Sequence, residues 1–268
     1  MMSRACVIAA LSLALAWAPE AQAGEAVALI WKGAKNKADV ESLEPAWTQL
    51  STLLSDGGVA IPEGFPKLVQ SNTVRGLKPG FWVWVVGFCP SDDSVRALEL
   101  LKLVAPDTYA RDVQLPAKSL ACPDVSAASL QADSHEFKLS GGRVLRVLTY
   151  DESSAPEGDE PGDSYTRTHY VFLLTDKKGA VLDTASAVGE EQFSGDPRNG
   201  PSNHRCQVSE LEQKKGGAVE LIRNCSAGAA ECGSLMSADE VTLIKVSGDT
   251  LMSTESRRNE EYMECEGD

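Results

Sequence analysis

The sequence predicts an α+β protein: an N-terminal βαββαβ sheet-and-helix domain followed by a disulfide-stapled antiparallel β domain. Three observations carry this reading. Between Ala26 and Val113, short apolar runs alternate with stretches of helical period. From Phe137 onward, extended runs and turn residues follow one another without helical spacing. Four of the cysteines are placed symmetrically about two turns. Strands interrupted by helices belong to a mixed layer, whereas strands joined by tight turns pair antiparallel.

Residues 1–23 read as a signal peptide. Arg4 supplies the positive start, Val7 to Trp17 is an apolar run too short to span a bilayer, and Ala21-Gln22-Ala23 is a small-x-small cleavage site. Gly24 then begins the mature chain. No later run reaches the length of a membrane-spanning helix, so the expectation is an exported protein, periplasmic or secreted, with no membrane span after cleavage.

In the domain expected over residues 24–116, Ala26 to Lys32 is a buried strand ending at Gly33. Asp39 is placed to cap a helix running to about Leu54. Leu43, Trp47, Leu50 and Leu54 share one face, Pro45 falls either in the interior of that helix or near its first turn, the latter if the start lies nearer Ser42, and Gly57-Gly58 closes the helix. Phe65 to Val74 holds a further element. Lys78-Pro79-Gly80 is a tight turn leading into the strand Phe81 to Pro90 (FWVWVVGFCP). Ser91 caps the next helix, with Asp92 and Asp93 at its positive end and Val95, Leu98, Leu101 and Val104 as its buried stripe. Pro106 stops it, and Tyr109 to Val113 returns as a strand.

Residues 117–133 read as a linker and 134–268 as the β-rich domain. Val144 to Tyr150 is extended. Asp151 to Asp163 is an acidic loop with two prolines and no apolar side chain larger than alanine. Asp176 to Gly179 joins two strands as a hairpin, and Gly195 to Asn203 is a second irregular loop. Such a thin apolar core calls for covalent staples.

Of seven cysteines, Cys6 leaves with the leader, and an even set in an exported chain reads as disulfides. Cys206 and Cys225 are equidistant from the Lys215-Gly216 turn, and Cys232 and Cys265 from Gly248-Asp249, so each pair faces across a hairpin. Cys89 with Cys122 follows by elimination. The rival reading, a zinc site, lacks the C-x2-4-C spacing, so no metal is expected.

The formal net charge is −14. It is unevenly spread: ten Lys/Arg against twelve Asp/Glu leave −2 over residues 24–125, and fourteen against twenty-six leave −12 over 126–268. Nucleic acid is excluded as a partner, because its binders carry a basic patch.

Trp82 and Trp84 sit two apart on a strand and so share a face. The expectation is an exposed aromatic platform suited to sugar rings, with Phe81, Val83 and Val85 turned toward the helices. Trp31 extends the platform from the first strand, and Lys78 and Arg75 at the turn meet polar groups of the ligand. The other reading is that these tryptophans are core.

The strand–helix–strand pair from Ala26 to Val113 resembles the sporulation-related repeat, or SPOR domain. Phe81 to Pro90 stands where that family has a strand ending in Gly-Pro-Phe, Ser91 to Val104 where it has an acid- and alanine-rich helix, and Tyr109-Ala110-Arg111-Asp112-Val113 where it has its last strand. Val27 to Gly33 matches in layout, without the family's glutamine. The resemblance covers about a third of the chain. It implies a four-stranded antiparallel sheet and non-covalent binding of peptidoglycan glycan strands that lack stem peptides.

No catalytic motif appears, so the chain is not expected to be an enzyme and no cofactor is expected. His135, His169 and His204 are isolated, and the acids of 151–163 lack the spacing of a calcium loop. The alternative to glycan binding is an envelope protein that contacts other envelope proteins through its acidic β module. A hydrolase with an unrecognised site is the third reading.

Overall fold

The computed structural model describes residues 23–156, 162–196, 203–228 and 233–264. Two antiparallel sheets enclose one layer of helices. The first sheet holds β1 (Ala23–Ala34), β2 (Lys67–Gln70), β3 (Trp82–Cys89) and β4 (Tyr109–Pro116) in the order β2-β3-β1-β4. Helices α1 (Lys37–Glu41) and α2 (Glu44–Asp56) connect β1 to β2, and α3 (Ser91–Val104) connects β3 to β4.

Each helix differs slightly from its sequence reading. The first is broken in two: Asn36, not Asp39, caps α1, its side chain accepting from the Ala38 amide. Pro45 opens α2, where a missing N–H costs nothing. Gly57 caps that helix as expected, and at Gly58 (φ +79) any Cβ would stand 2.3 Å from the Ala127 carbonyl oxygen. In α3 the cap is Pro90 and Ser91 is the first helical residue. Its buried face is Ser94, Ala97, Leu100, Leu101 and Val104, and Val95 is 60% exposed. The expected stripe could not all be buried, because nine residues make about two and a half turns and set Val95 on the opposite side of the helix from Val104.

The second sheet holds β5 (Gln131–Lys138), β6 (Val144–Ser154), β7 (Ser164–Thr175), β8 (Val181–Ser194), β9 (Asn203–Gln213), β10 (Val219–Gly228), β11 (Leu235–Ser247) and β12 (Thr250–Tyr262). Its order is sequential, each strand beside the next. The expected acidic loop is shorter than the sequence suggested, since β6 runs on through Asp151–Ser154. The sheet curls: the Leu251 amide on β12 donates to Asp183 Oδ2 on β8 at 2.7 Å, and Arg143 donates to the Gly248 carbonyl. Leu145, Val147, Phe172, Leu174, Val219, Leu221 and Ile244 fill the space inside the curl.

The stretch expected as a linker, with Cys122 as its one restraint, is pinned at four points. Ala121 exchanges backbone hydrogen bonds with Phe88, and Asp124 with Ala60. Cys122 is bridged to Cys89, and Leu130 is 2% exposed. The helical layer also packs on both sheets. Leu29, Trp47, Leu50, Leu54, Val86 and Leu101 share one apolar cluster with Leu148, Val171 and Leu173 of the second sheet.

A shared core makes unfolding of the two sheets one event. Leu173→Ala is expected to cost about 2–5 kcal/mol. It is also expected to lower the urea midpoint of tryptophan fluorescence, although the described tryptophans all lie in residues 31–84. A fluorescence midpoint equal to that of the unsubstituted chain, beside a lowered midpoint by circular dichroism, is the opposing result.

Candidate functional site

The tryptophan strand was expected to carry the site, and the structure reverses its orientation. Trp84 is 8% exposed, and its indole N–H donates to the Val40 carbonyl oxygen at 2.7 Å beneath α1. Trp31 is 3% exposed and packs on Trp47 with ring centroids 5.1 Å apart. Trp82 is half-buried against the same cluster, with the Lys37 ammonium 5.3 Å from its ring. The helices therefore cover the tryptophan face. Val83 and Val85, expected beneath the helices, lie on the opposite face with Ala28, Ile30, Val74 and Leu77, and Phe81 packs against them. That face is covered in turn by the segment 62–80, through Phe65, Val74 and Leu77.

The remaining expected contacts are not brought to the tryptophans. Arg75 and Lys78 are exposed on the segment that covers the opposite face. Lys78 lies 5.8 Å from the Phe81 ring, and the Arg75 carbonyl accepts from the Gln114 amide. The reason is the strand's composition. Both alternating sets of Trp82–Cys89 are apolar, so periodicity alone does not say which face meets the helices.

Two of the expected disulfides are formed. Cys89–Cys122 joins β3 to the segment after β4, and Cys206–Cys225 joins β9 to β10 with Cα atoms 4.0 Å apart. The pairing of Cys206 with Cys225 depends on a bulge. Near the turn Val219 faces Gln213, and the register shifts by one between Ile222 and Arg223 to bring the cysteines opposite. Cys232 and Cys265 lie outside the described residues.

The polar side chains that the fold does assemble cross the second sheet beside the Cys206–Cys225 bridge. Glu152 on β6 receives His169 Nε2 at 2.7 Å and the Tyr165 hydroxyl at 2.8 Å. Arg167 on β7 stacks on the Tyr165 ring at 4.2 Å and donates through Nε to Glu191 at 2.6 Å. Glu191, 9% exposed on β8, also meets His204 of β9 at 3.2 Å and lies 3.9 Å from Arg223 of β10. Arg223 donates to Glu240 of β11 at 2.6 Å, and Arg257 of β12 reaches the other oxygen of Glu240 at 3.0 Å. The result is a row of alternating sign, Glu152, Arg167, Glu191, Arg223, Glu240, Arg257, running from β6 to β12. Two adjoining concavities, of about 310 and 480 Å³, share Arg167, Glu191 and Cys206 as lining.

All three histidines are paired with carboxylates: His135 with Asp133, His169 with Glu152 and His204 with Glu191. His169 is further stacked on Tyr150 and His204 on Phe193. Hydrogen bonds from His169 and then Tyr165 hold the Glu152 carboxyl below its ordinary pKa. At Glu191 burial pushes the pKa up, but the hydrogen bonds from Arg167 and His204 together outweigh it, and the balance is below the ordinary value. Among the described residues, Cys206, Cys225 and Glu240 bring ligand-type atoms within 4.8 Å of one another. Both sulfurs are committed to the bridge, so they offer no thiolate to a metal.

Sequence reasoning missed this row. One link was legible, since Glu240 and Arg257 are equidistant from the same Gly248-Asp249 turn that was used for the cysteines. The others were hidden by register shifts. A bulge in β8, opposite Arg167 and His169, re-aims Glu191, and Gly189 within it lies where any Cβ would meet the Tyr170 ring at 2.3 Å. No protein-family model, curated protein or solved structure matches the chain.

The lowered pKa of Glu191 has a signed consequence. Its ion pairs stabilise the fold above the unfolded carboxylate pKa, and that stabilisation is lost as pH falls through the lower folded value. Glu191→Gln is expected to flatten the acid side of a melting-temperature series and to cost about 1–3 kcal/mol near neutrality, less than a fully buried pair. An unchanged acid slope in Glu191→Gln is the contrary result.

Proposed function

We propose that the chain is an exported, non-catalytic envelope protein that acts through protein contacts on its second sheet, not through a tryptophan platform. The observation that carries this is the burial of Trp84 under α1, with its N–H spent on Val40. CH–π stacking needs a bare ring face, and neither face of the first sheet is bare. The leader-like first residues and two formed cystines support export. No helix among the described residues is long and apolar enough to cross a membrane. The non-catalytic reading rests on the lack of a nucleophile or metal motif in the sequence.

The groove along the charge row suits a polypeptide better than a uniformly charged polymer. Its guanidiniums and carboxylates alternate, so a single-signed ligand meets repulsion wherever it meets attraction. A peptide segment with mixed polar groups meets matched donors and acceptors along the same line. The first sheet is four-stranded and antiparallel, in the order β2-β3-β1-β4. The glycan role that the resemblance implied has no exposed aromatic face to rest on.

Three measurements test this reading. Acrylamide is expected to quench the folded chain's tryptophan fluorescence weakly, as covered indoles require. Purified, amidase-stripped peptidoglycan is expected not to sediment the chain, and retention that is lost in a folded Trp82→Ala variant restores the glycan reading. A photo-crosslinking side chain at exposed Met236, which lines the groove beside Arg223, Glu240 and Arg257, is expected to give a protein adduct in intact cells. The same side chain at exposed Asp92 on α3 is expected to give none; equal labelling at both positions rejects the groove.

A further inference from the structure

β12 is the last strand of the second sheet, hydrogen-bonded to β11 on one side only. Apart from Leu251, every residue from Thr250 to Tyr262 is exposed, so both faces of the strand are open to solvent. An unpaired edge offers a row of backbone donors and acceptors to another strand, and proteins ordinarily blunt it with charge or bulges. β12 has both devices. Asn259 (φ 53) sits where the register with β11 shifts between Ser237 and Asp239, and the strand reads Glu255-Ser256-Arg257-Arg258-Asn259-Glu260-Glu261.

The placement of those charges does more than repel. We propose that β12 pairs antiparallel with β12 of a second copy of this chain, about a two-fold axis at Ser256, so that Glu255 of each copy faces Arg257 of the other. This rests on the protein-contact reading above and names the partner as the chain itself.

Symmetry restricts the choices. Antiparallel edge strands related by a two-fold axis require that axis to be perpendicular to the sheet, so some residue must face its own copy. Centring on Glu255, Arg257 or Arg258 puts that like-charged residue against itself, and centring on Arg258 also opposes Glu255 to Glu261. Centring on Asn259 pairs unlike charges but places a left-handed bulge residue at the axis, where the ladder is broken. Centring on Ser256 opposes Glu255 to Arg257 twice, Ser253 to Asn259 and Thr254 to Arg258, with no like-charge pair. Further toward the turn, Leu251 is already committed to Asp183 through its amide.

The geometry of the charge row points the same way. Going from β6 to β12, the sign alternates and ends on Arg257, whose contact is with Glu240 on the inner side. Glu255 lines the same concavity as Arg257 and Glu240, yet it has no ion pair or side-chain hydrogen bond among the described residues. Opposite residues of an antiparallel pair point to the same side of the sheet. A second copy centred at Ser256 therefore sets its Glu255 beside Arg257 as the next negative group, and the alternation continues across the axis. Main-chain hydrogen bonds supply the affinity and the charges fix the register.

Sedimentation velocity of the chain with its native cystines, over a series reaching about 0.5 mM at low salt, tests this. The unsubstituted chain is expected to form a concentration-dependent dimer that weakens as salt is raised. Glu255→Arg and Arg257→Glu are each expected to raise the dissociation constant about tenfold or more, because each sets two like-charge pairs at the axis. Mixed in equal amounts, the two variants are expected to form a heterodimer, since all four facing positions are then of unlike sign. Glu255→Arg has no native partner to lose, so its melting temperature should match that of the unsubstituted chain. A monomer at all concentrations overturns the proposal. So does a dimer indifferent to both substitutions, and so does a mixture that stays monomeric. Peptidoglycan sedimentation and Met236 crosslinking, not the oligomeric state, decide the broader reading, so the two fail separately.

Discussion

The hydrogen bond from the Trp84 indole to the Val40 carbonyl marks the constraint on which the architecture turns. A buried indole N–H must find an acceptor, and here the acceptor is a carbonyl within α1, the short helix that the chain forms before α2. With the tryptophan face committed to the helices, the opposite face of the first sheet has to be covered by something else, and the segment 62–80 does so with Phe65, Val74 and Leu77. The helices in turn have a second side. Leu148, Val171 and Leu173 of the second sheet meet it and join the same cluster. One helical layer thus serves two sheets, which is why the segment between them is pinned by Cys122, Asp124 and Leu130 and does not swing as a linker.

The second sheet solves a different problem. Its part of the chain is strongly acidic, and its strands extend beyond the apolar filling around Phe172, Leu221 and Ile244. Where that filling ends, the strands are held by charge in alternation, from Glu152 to Arg257, and by the Cys206–Cys225 bridge. Glu191 is the costliest member, being nearly buried, and it is the one with the most partners: the guanidiniums of Arg167 and Arg223 and the imidazole of His204. A carboxylate taken out of water needs that many donors, and a bulge at Gly189 is the device that aims it at them.

Function follows from where polar groups are left accessible. The first sheet has no bare face, so a flat stacking surface for sugar rings is replaced by a scaffold role for the tryptophans. The charged groove and the open edge of β12 lie on one continuous sheet, and Arg257 belongs to both. A partner added at that edge would extend the groove, so binding in the groove and strand pairing at the edge would share a residue and be coupled through it.

Much of the local structure was legible because local structure depends on local chemistry. Gly57 closes α2, Pro106 lies just past α3, and Asp176 to Gly179 turns β7 into β8, each for reasons carried within a few residues. Symmetry about the Lys215-Gly216 turn pointed to Cys206 with Cys225, although it took a bulge between Ile222 and Arg223 to bring them opposite, and symmetry about Gly248-Asp249 would have paired Glu240 with Arg257. The sequence by itself therefore determined the kinds of element, their order, and the contacts close to turns. Tertiary structure alone decided which face of Trp82–Cys89 meets the helices, because both faces are apolar and only the arrival of a distant layer distinguishes them. It also decided the assembly of Glu152, Arg167, Glu191 and Arg223, because each bulge shifts the register by one residue and sends every later side chain to a new neighbour.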